Sequence, residues 1–320
     1  MRTIEWVDGA VEIIDQTALP REVRVLRLHT VPELVAAIQS LAVRGAPALG
    51  VAGAFGVALA ARVHADDPEA LAAAVNRVET ARPTAVNLAR GARRAAAQLR
   101  RGPEAVLAEA YAIRDEEIAA SEAMAARGAD LMVELCGHRP RLLTHCNTGG
   151  LATVVLGTAL GVVYELHRRG ALAGVVASET RPLLQGARLT AWELSRWGIE
   201  HQVAVDSAGP FLMARGEVDA VILGADRICA NGDVINKIGT YSHALGARRA
   251  GLPFVVVAPE STVDVSTPSG DAVPIEDRGA AEITPWSDAV NPAFDVTPRD
   301  LVTAIVTDRR VIRLDKGQRV

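Results

Sequence analysis

The chain has few cysteines, no excess of basic charge and no apolar run long enough to span a membrane, and each shortage removes a class of protein. Its three cysteines among 320 residues, Cys136, Cys146 and Cys229, show no close-spaced pairing. That excludes a zinc knuckle or a disulfide framework and favours a reducing, cytoplasmic setting. Lysine and arginine number 34 against 38 for aspartate and glutamate, so the electrostatic footprint of a nucleic-acid binder is missing. Residues Met1 to Ala10 carry Glu5 and Asp8 and lack the basic start and apolar core of a signal peptide, so the mature chain is expected to begin there. The longest apolar stretch, Gly149 to Leu166, holds Thr153, Thr158 and several glycines. It falls short of the roughly 20 strongly apolar residues of a membrane span and reads as a buried helix. Repeats and low-complexity tracts are also missing, apart from alanine enrichment, and no GxGxxG or Walker pattern points to a dinucleotide or triphosphate.

What remains is an ordinary globular composition, 49% apolar and 22% charged, on a chain long enough for two domains. Short alternating runs such as Val11-Glu12-Ile13 and Val23 to Leu28 predict a small antiparallel sheet at the start. From Val31 to about Leu135 the periodicity is helical, broken at Gly45-Ala46-Pro47, Asp66-Asp67-Pro68, Arg82-Pro83 and Gly102-Pro103. Pro103 to Leu135 is read as one long helix or two in series. Beyond it come short apolar runs, Leu142 to Thr144, Gly174 to Ala177, Gln202 to Val205, Ala220 to Leu223 and Phe254 to Val257, separated by helical segments. That alternation predicts a parallel sheet with helices on both faces. The expected class is α/β: a mostly helical amino-terminal domain with a small β-sheet over residues 1–130, then a Rossmann-like catalytic domain over residues 131–320.

Polar clusters follow four of these runs: Thr144 to Gly149, Ser178 to Pro182, Asp206 to Gly209, and Gly224 to Arg227. In a parallel sheet such loops converge on the edge where ligands bind. Cys146 precedes Gly149-Gly150, which are expected to open a helix whose amino terminus would favour a thiolate; a buried spectator thiol is the equally weighted alternative. His145 is a poor base for it, because adjacent strand residues face opposite ways. Asp226, after an apolar run, is expected in a partly dry setting suited to an acid, with an ordinary salt bridge or cap as the alternative. Asn231-Gly232-Asp233 is a turn signal whose spacing from Asp226 does not make a calcium loop. Arg44-Gly45-Ala46-Pro47 precedes a helix over Ala48 to Val63 and offers an anion cradle, or else a plain structural turn.

These residues resemble a known family. Arg44 to Ala52, Thr144 to Gly149, Glu179 to Pro182, Gln185 to Leu194, Gly224 to Ile228, Asn231 to Asp233, Asn236 to Thr240 and Asn291 to Pro298 are similar to the signatures of the methylthioribose-1-phosphate isomerases. The resemblance implies Cys146 and Asp226 as catalytic residues, Asp226 as proton donor. It implies substrate contacts at Arg44, Gly45, Ala46, Arg82, Gln185, Asn236 and Lys237. It also implies no cofactor, no metal, a homodimer, and a carboxy-terminal domain related to the regulatory subunits of translation initiation factor 2B. Asp206-Ser207-Ala208-Gly209 departs from the more usual Asp-Asn-Met-Ala-Gly and is similar to the loop of ribose-1,5-bisphosphate isomerases, and Cys229 stands where alanine is common. The expected activity is interconversion of 5-methylthioribose 1-phosphate and 5-methylthioribulose 1-phosphate in methionine salvage, with no nucleic-acid or membrane partner. The alternatives are isomerisation of 5-deoxyribose 1-phosphate or ribose 1,5-bisphosphate, or a nucleotide-sensing regulator of the translation-factor type.

Overall fold

The alternating residues at the start form three antiparallel strands in the computed structural model, which describes residues 2–82, 85–137 and 139–320. Strands β1 (Ile4–Val7) and β2 (Ala10–Ile14) are joined by Asp8-Gly9, both with positive φ, the geometry a two-residue hairpin needs. β3 (Val25–Leu28) completes the sheet. Helix α1 (Val31–Gln39) starts at a capping box in which Thr30 and Glu33 satisfy each other's backbone amides. α2 (Ala46–Val63), α3 (Pro68–Glu79) and α4 (Val86–Ala96) follow, α3 capped by Asp67. The expectation that no apolar run is long enough to span a membrane is corrected by α2: among the described residues it is the one helix long and apolar enough to cross one, and it is the mostly buried core helix of this unit. A methyl group at Gly53 or Gly91 would overlap backbone of the facing helix, so these positions let α2 and α4 pack backbone to backbone.

Packing divides the chain into two units, Met1–Ala119 with Gly150–Gly157, and Ala120–Gly149 with Thr158–Val320. Helix α5 (Pro103–Cys136), uninterrupted by proline, gives its first half to one and its second half to the other. The expected buried helix over 149–166 is realised only in part. Gly150–Ala152 is a single 3-10 turn, and the helix proper, α6, is Ala159–Arg168. The intervening backbone bonds elsewhere: Thr3 N–H donates to Val154 O at 2.8 Å, Thr3 Oγ1 to Gly150 O at 2.5 Å, and Gln16 Nε2 to Leu151 O at 2.7 Å. Glycines that resist helix formation leave these carbonyls available to the first unit.

The second unit is built on β4 (Arg141–Thr144), β5 (Gly174–Ser178), β6 (His201–Ala204) and β7 (Ala220–Leu223), with helices α7 (Ala191–Arg196) and α8 (Ala208–Ala214) among them. There follow β8 (Arg227–Cys229), β9 (Val234–Lys237), α9 (Thr240–Ala250), β10 (Phe254–Val257), β11 (Val263–Asp264), β12 (Phe294–Thr297), β13 (Ala304–Val306) and β14 (Val311–Arg313). The main sheet has the order β14-β13-β10-β7-β4-β5-β6, parallel except for β14. Leu142, Val175, Ile222 and Val255 face a core with α5, α6 and α7, while their neighbours Leu143, Val176, Val221 and Val256 face a core with α8 and α9. Both faces of each strand are thereby buried, which is why these strands read as unbroken apolar runs. A second sheet, β11-β8-β9-β12, stands beside the first.

Candidate active site

Strand order decides where chemistry can occur in the second unit. From β4 the chain steps outward to β5 and β6, then returns to the other side of β4 as β7 and continues to β10. The order reverses between β4 and β7, and a crevice opens at the carboxyl ends of strands that diverge in this way. Cys146 leaves β4 and Asp226 leaves β7, two strands hydrogen-bonded side by side with Leu143 opposite Val221.

β9 and the residue that follows it tie both loops together. Asp226 N–H donates to Ile235 O at 2.9 Å, and His145 Nε2 lies 2.8 Å from Ile238 O. Asn236 and Lys237 lie between those two anchors. Asn236 is buried and donates through Nδ2 to Thr240 Oγ1 at 2.9 Å. The Lys237 ammonium donates to Ala293 O at 2.8 Å and lies 4.8 Å over the Phe294 ring. Gln185 follows β5 and is 7% exposed, and its Oε1 finds no hydrogen-bond partner among the described residues. A buried amide oxygen left unpaired costs about 1–3 kcal/mol, so it marks a place for a donor such as a ligand hydroxyl.

Cys146 is buried and its backbone has φ +61°. Thr180 (φ +66°) and Leu184 (φ +58°), in the loop after β5, share that left-handed conformation. Such backbone costs on the order of 1–3 kcal/mol for a non-glycine residue and persists only where its surroundings enforce it. Sequence patterning missed the enforcing set. Thr180 Oγ1 accepts Cys146 N–H at 2.9 Å, and Thr190 Oγ1 donates to Cys146 O at 2.6 Å. The Asp206 carboxylate accepts Thr180 N–H and Arg181 N–H, each at 2.7 Å. Gly186–Thr190 is a π-helical turn, a local widening frequent at functional sites. Asn147 Nδ2 donates to buried Glu193 at 2.7 Å, anchoring the next residue of the cysteine loop.

The helix amino terminus expected beside Cys146 is not there, since Gly150 opens only a 3-10 turn. His145 is no partner for the thiol. Its Nδ1 bonds Ser178 Oγ and its Nε2 faces a carbonyl, and burial pushes its pKa down to about 4. Asp226 is exposed, so the apolar run that precedes it, sealed inside the sheet, does not dry the carboxyl. Arg227 turns to Asp264, with 3.2 Å between the charged groups, and to Thr267. Burial pushes the other two thiols, Cys136 and Cys229, up to about 11. Among the described residues no group of three or more His, Cys, Asp or Glu side chains is arranged to hold a metal ion.

The remaining expected contacts belong to the first unit. Arg44, Gly45 and Ala46 open α2, where Gly45 has φ +93° and a methyl group on it would overlap Ala152 O. Arg44 Nε donates to Gln16 Oε1 at 3.2 Å. α2 begins two residues earlier than the expected Ala48, with Pro47 in its first turn and no side chain capping its amides. Arg82 lies between α3 and α4; the neighbouring Pro83 is outside the described residues.

The fold is that of an α/β protein with a candidate ligand site at a topological switch point. Residues 42–313 match the model of the initiation factor 2 subunit family, and the chain belongs to that family. A methylthioribose-1-phosphate isomerase from Anaeromyxobacter sp. (strain K) is 53% identical, over 95% of this chain and 91% of the relative. A probable bifunctional methylthioribose-1-phosphate isomerase/methylthioribulose-1-phosphate dehydratase from Nocardia farcinica is 51% identical over 97% of this chain, which spans 59% of that relative's length. Among solved structures, 5-methylthioribose 1-phosphate isomerase from Pyrococcus horikoshii OT3 superposes with a TM-score of 0.90 at 41% identity, covering 98% of this chain and 92% of that one. A structure titled translation initiation factor eIF-2B, subunit delta, from A. fulgidus gives 0.87 at 42% identity, covering 98% and 96%.

Proposed function

We propose that this chain interconverts 5-methylthioribose 1-phosphate and 5-methylthioribulose 1-phosphate in methionine salvage, with Cys146 and Asp226 as the reacting groups. The observation that carries this reading is that those two residues sit in the loops leaving adjacent strands at the reversal of strand order, with Asn236 and Lys237 between the two residues, Ile235 and Ile238, that bond those loops. The names of the relatives at about half identity agree with it.

The reaction moves a carbonyl from C1 to C2 of a sugar whose ring cannot open freely, because phosphate esterifies the anomeric oxygen. An acid must protonate the ring oxygen as the C1–O bond breaks, and hydrogen must then leave C2 and arrive at C1. Asp226 supplies the first proton, and Cys146 removes the C2 proton or assists a direct hydride shift. Gln185, Asn236 and Lys237 present polar groups suited to sugar hydroxyls. The amino terminus of α2 with Arg44, Gly45 and Ala46 has the chemistry of a phosphate site, to which Arg82 adds a second guanidinium. The same reading includes a cytoplasmic homodimer with no nucleic-acid or membrane partner, which sedimentation of the purified chain and cell fractionation test.

Cys146→Ala should lower turnover of 5-methylthioribose 1-phosphate by about 10³-fold or more while circular dichroism stays unchanged. Cys136→Ser and Cys229→Ser should keep most of it. Near-normal turnover in Cys146→Ala would make the thiol a buried spectator. Deuterium at C1 of product formed in heavy water identifies the proton route, and its complete absence counts against that route.

A further inference from the structure

A cysteine and a β-branched threonine, in loops that leave neighbouring strands, both adopt a backbone conformation that such residues rarely enter. Hydrogen bonds link them in one direction. Asp206 fixes the Thr180 and Arg181 amides, the Thr180 hydroxyl donates to Ser178 O at 3.0 Å and accepts Cys146 N–H, and the Thr190 hydroxyl donates to Cys146 O. Cys146 is therefore bonded at both its amide and its carbonyl, by hydroxyls from the two ends of the segment between β5 and α7.

We propose that Thr180, Thr190 and Asp206 are positioning residues that lock Cys146 in its left-handed turn and so aim its thiol into the crevice, a role that rests on Cys146 being the reacting group. A hydroxyl carries one hydrogen. Thr180 spends its own on Ser178 O, which leaves the oxygen lone pairs facing the Cys146 amide, so the arrangement has a fixed polarity that only a hydroxyl side chain reproduces. Serine preserves it, and valine, the same shape without the polarity, removes it. Thr190 sits in the last position of the π-helical turn, which brings its hydroxyl to the Cys146 carbonyl. Asp206 acts one step further away, since its two accepted amides hold the strained peptide at Thr180.

Two readouts separate aiming from folding. The first is the alkylation rate of Cys146 by iodoacetamide as a function of pH, measured without substrate in a Cys136→Ser, Cys229→Ser background. The second is the division of any loss between kcat and KM. Thr180→Val and Thr190→Val should each lower kcat by about 10- to 100-fold with little change in KM, as a misaimed reacting group does. They should also shift the alkylation rate or its pH midpoint, and the serine variants should restore both within about threefold. Asp206→Asn, which keeps the size and loses one of the two acceptors, should give a smaller change of the same kind. Where a valine variant does not fold, the aspartate variant and the serine pair carry the test alone. Wild-type alkylation and kcat in the folded variants, losses confined to KM, or serine variants as impaired as valine would each overturn the proposal. If Cys146→Ala itself keeps normal turnover, the isomerase reading of Cys146 fails instead, and the alkylation profiles still decide whether the lock exists.

Discussion

Cys146 and His145 are adjacent in sequence and opposite in fate. The expected separation holds, though not through strand alternation, since both residues lie beyond β4: the imidazole is buried and engaged at both nitrogens, while Cys146 turns away in a left-handed conformation. The conformation of Thr180 had no signal, because a β-branched residue with φ +66° runs against its own local preference and is held there by groups distant in sequence. Asp226 lies between these cases. Its place after β7 was legible, its surroundings were not: the preceding apolar residues point into the sheet and the carboxyl is exposed. A proton-donating Asp226 must then be dried by the bound substrate, since a carboxyl in water favours the ionised form at neutral pH. Asp226→Asn should bind substrate with nearly unchanged KM and turn it over about 10²–10⁴-fold more slowly, as loss of a general acid does. A rise in KM with intact kcat would recast Asp226 as a holder of sugar hydroxyls.

Elements were legible in proportion to their length and burial. Strands β4, β5, β7 and β10 showed themselves because both faces of each are apolar, whereas β8 and β11, three and two residues long, are too short for any period to register. The tertiary contact most consequential for pH behaviour also escaped the sequence. His145, after β4, packs edge-on against His243 of α9 with ring centroids 5.0 Å apart, and neither nitrogen of His243 has a hydrogen-bond partner among the described residues. Burial, with the neighbouring imidazole adding to it and Asp206 opposing it, pushes His243 down to about 3. Both imidazoles stay neutral in the folded unit and gain protons near 6.5 when it unfolds. Their contribution to stability is full above that pH and declines as pH falls toward 4, by about 1.4 kcal/mol per pH unit for each imidazole. Urea midpoints should therefore drop steeply between neutral pH and about pH 5, and His243→Phe should remove roughly half of that slope. An unchanged slope in the variant would place the acid sensitivity elsewhere. At the other end of the chain, α2 has no side-chain cap on its first turn. Arg44→Ala should raise the Kd of a sugar phosphate by about 10-fold or more and leave the unphosphorylated sugar unaffected.

At the scale of the whole molecule, fold alone does not choose between catalysis and regulation. Structures titled as an isomerase and as a translation-factor subunit superpose on this chain almost equally well, with TM-scores of 0.90 and 0.87. The choice rests on ligand chemistry. A catalytic crevice shaped for a pentose 1-phosphate binds that sugar in the folded state only, and saturation at about 100 times Kd stabilises the fold by about 2.7 kcal/mol. A nucleotide sensor instead draws its stabilisation from a purine monophosphate. Thermal unfolding of the Cys146→Ala protein, once its loss of turnover has been measured, separates the two. 5-Methylthioribose 1-phosphate should raise the midpoint and adenosine or guanosine monophosphate should leave it in place. Ribose 1,5-bisphosphate and 5-deoxyribose 1-phosphate in parallel report which 5-substituent the protein accepts. Stabilisation by the nucleotides alone would make this chain a sensor built on an isomerase fold. A larger shift with the bisphosphate than with the methylthio sugar would keep the enzyme and change its substrate.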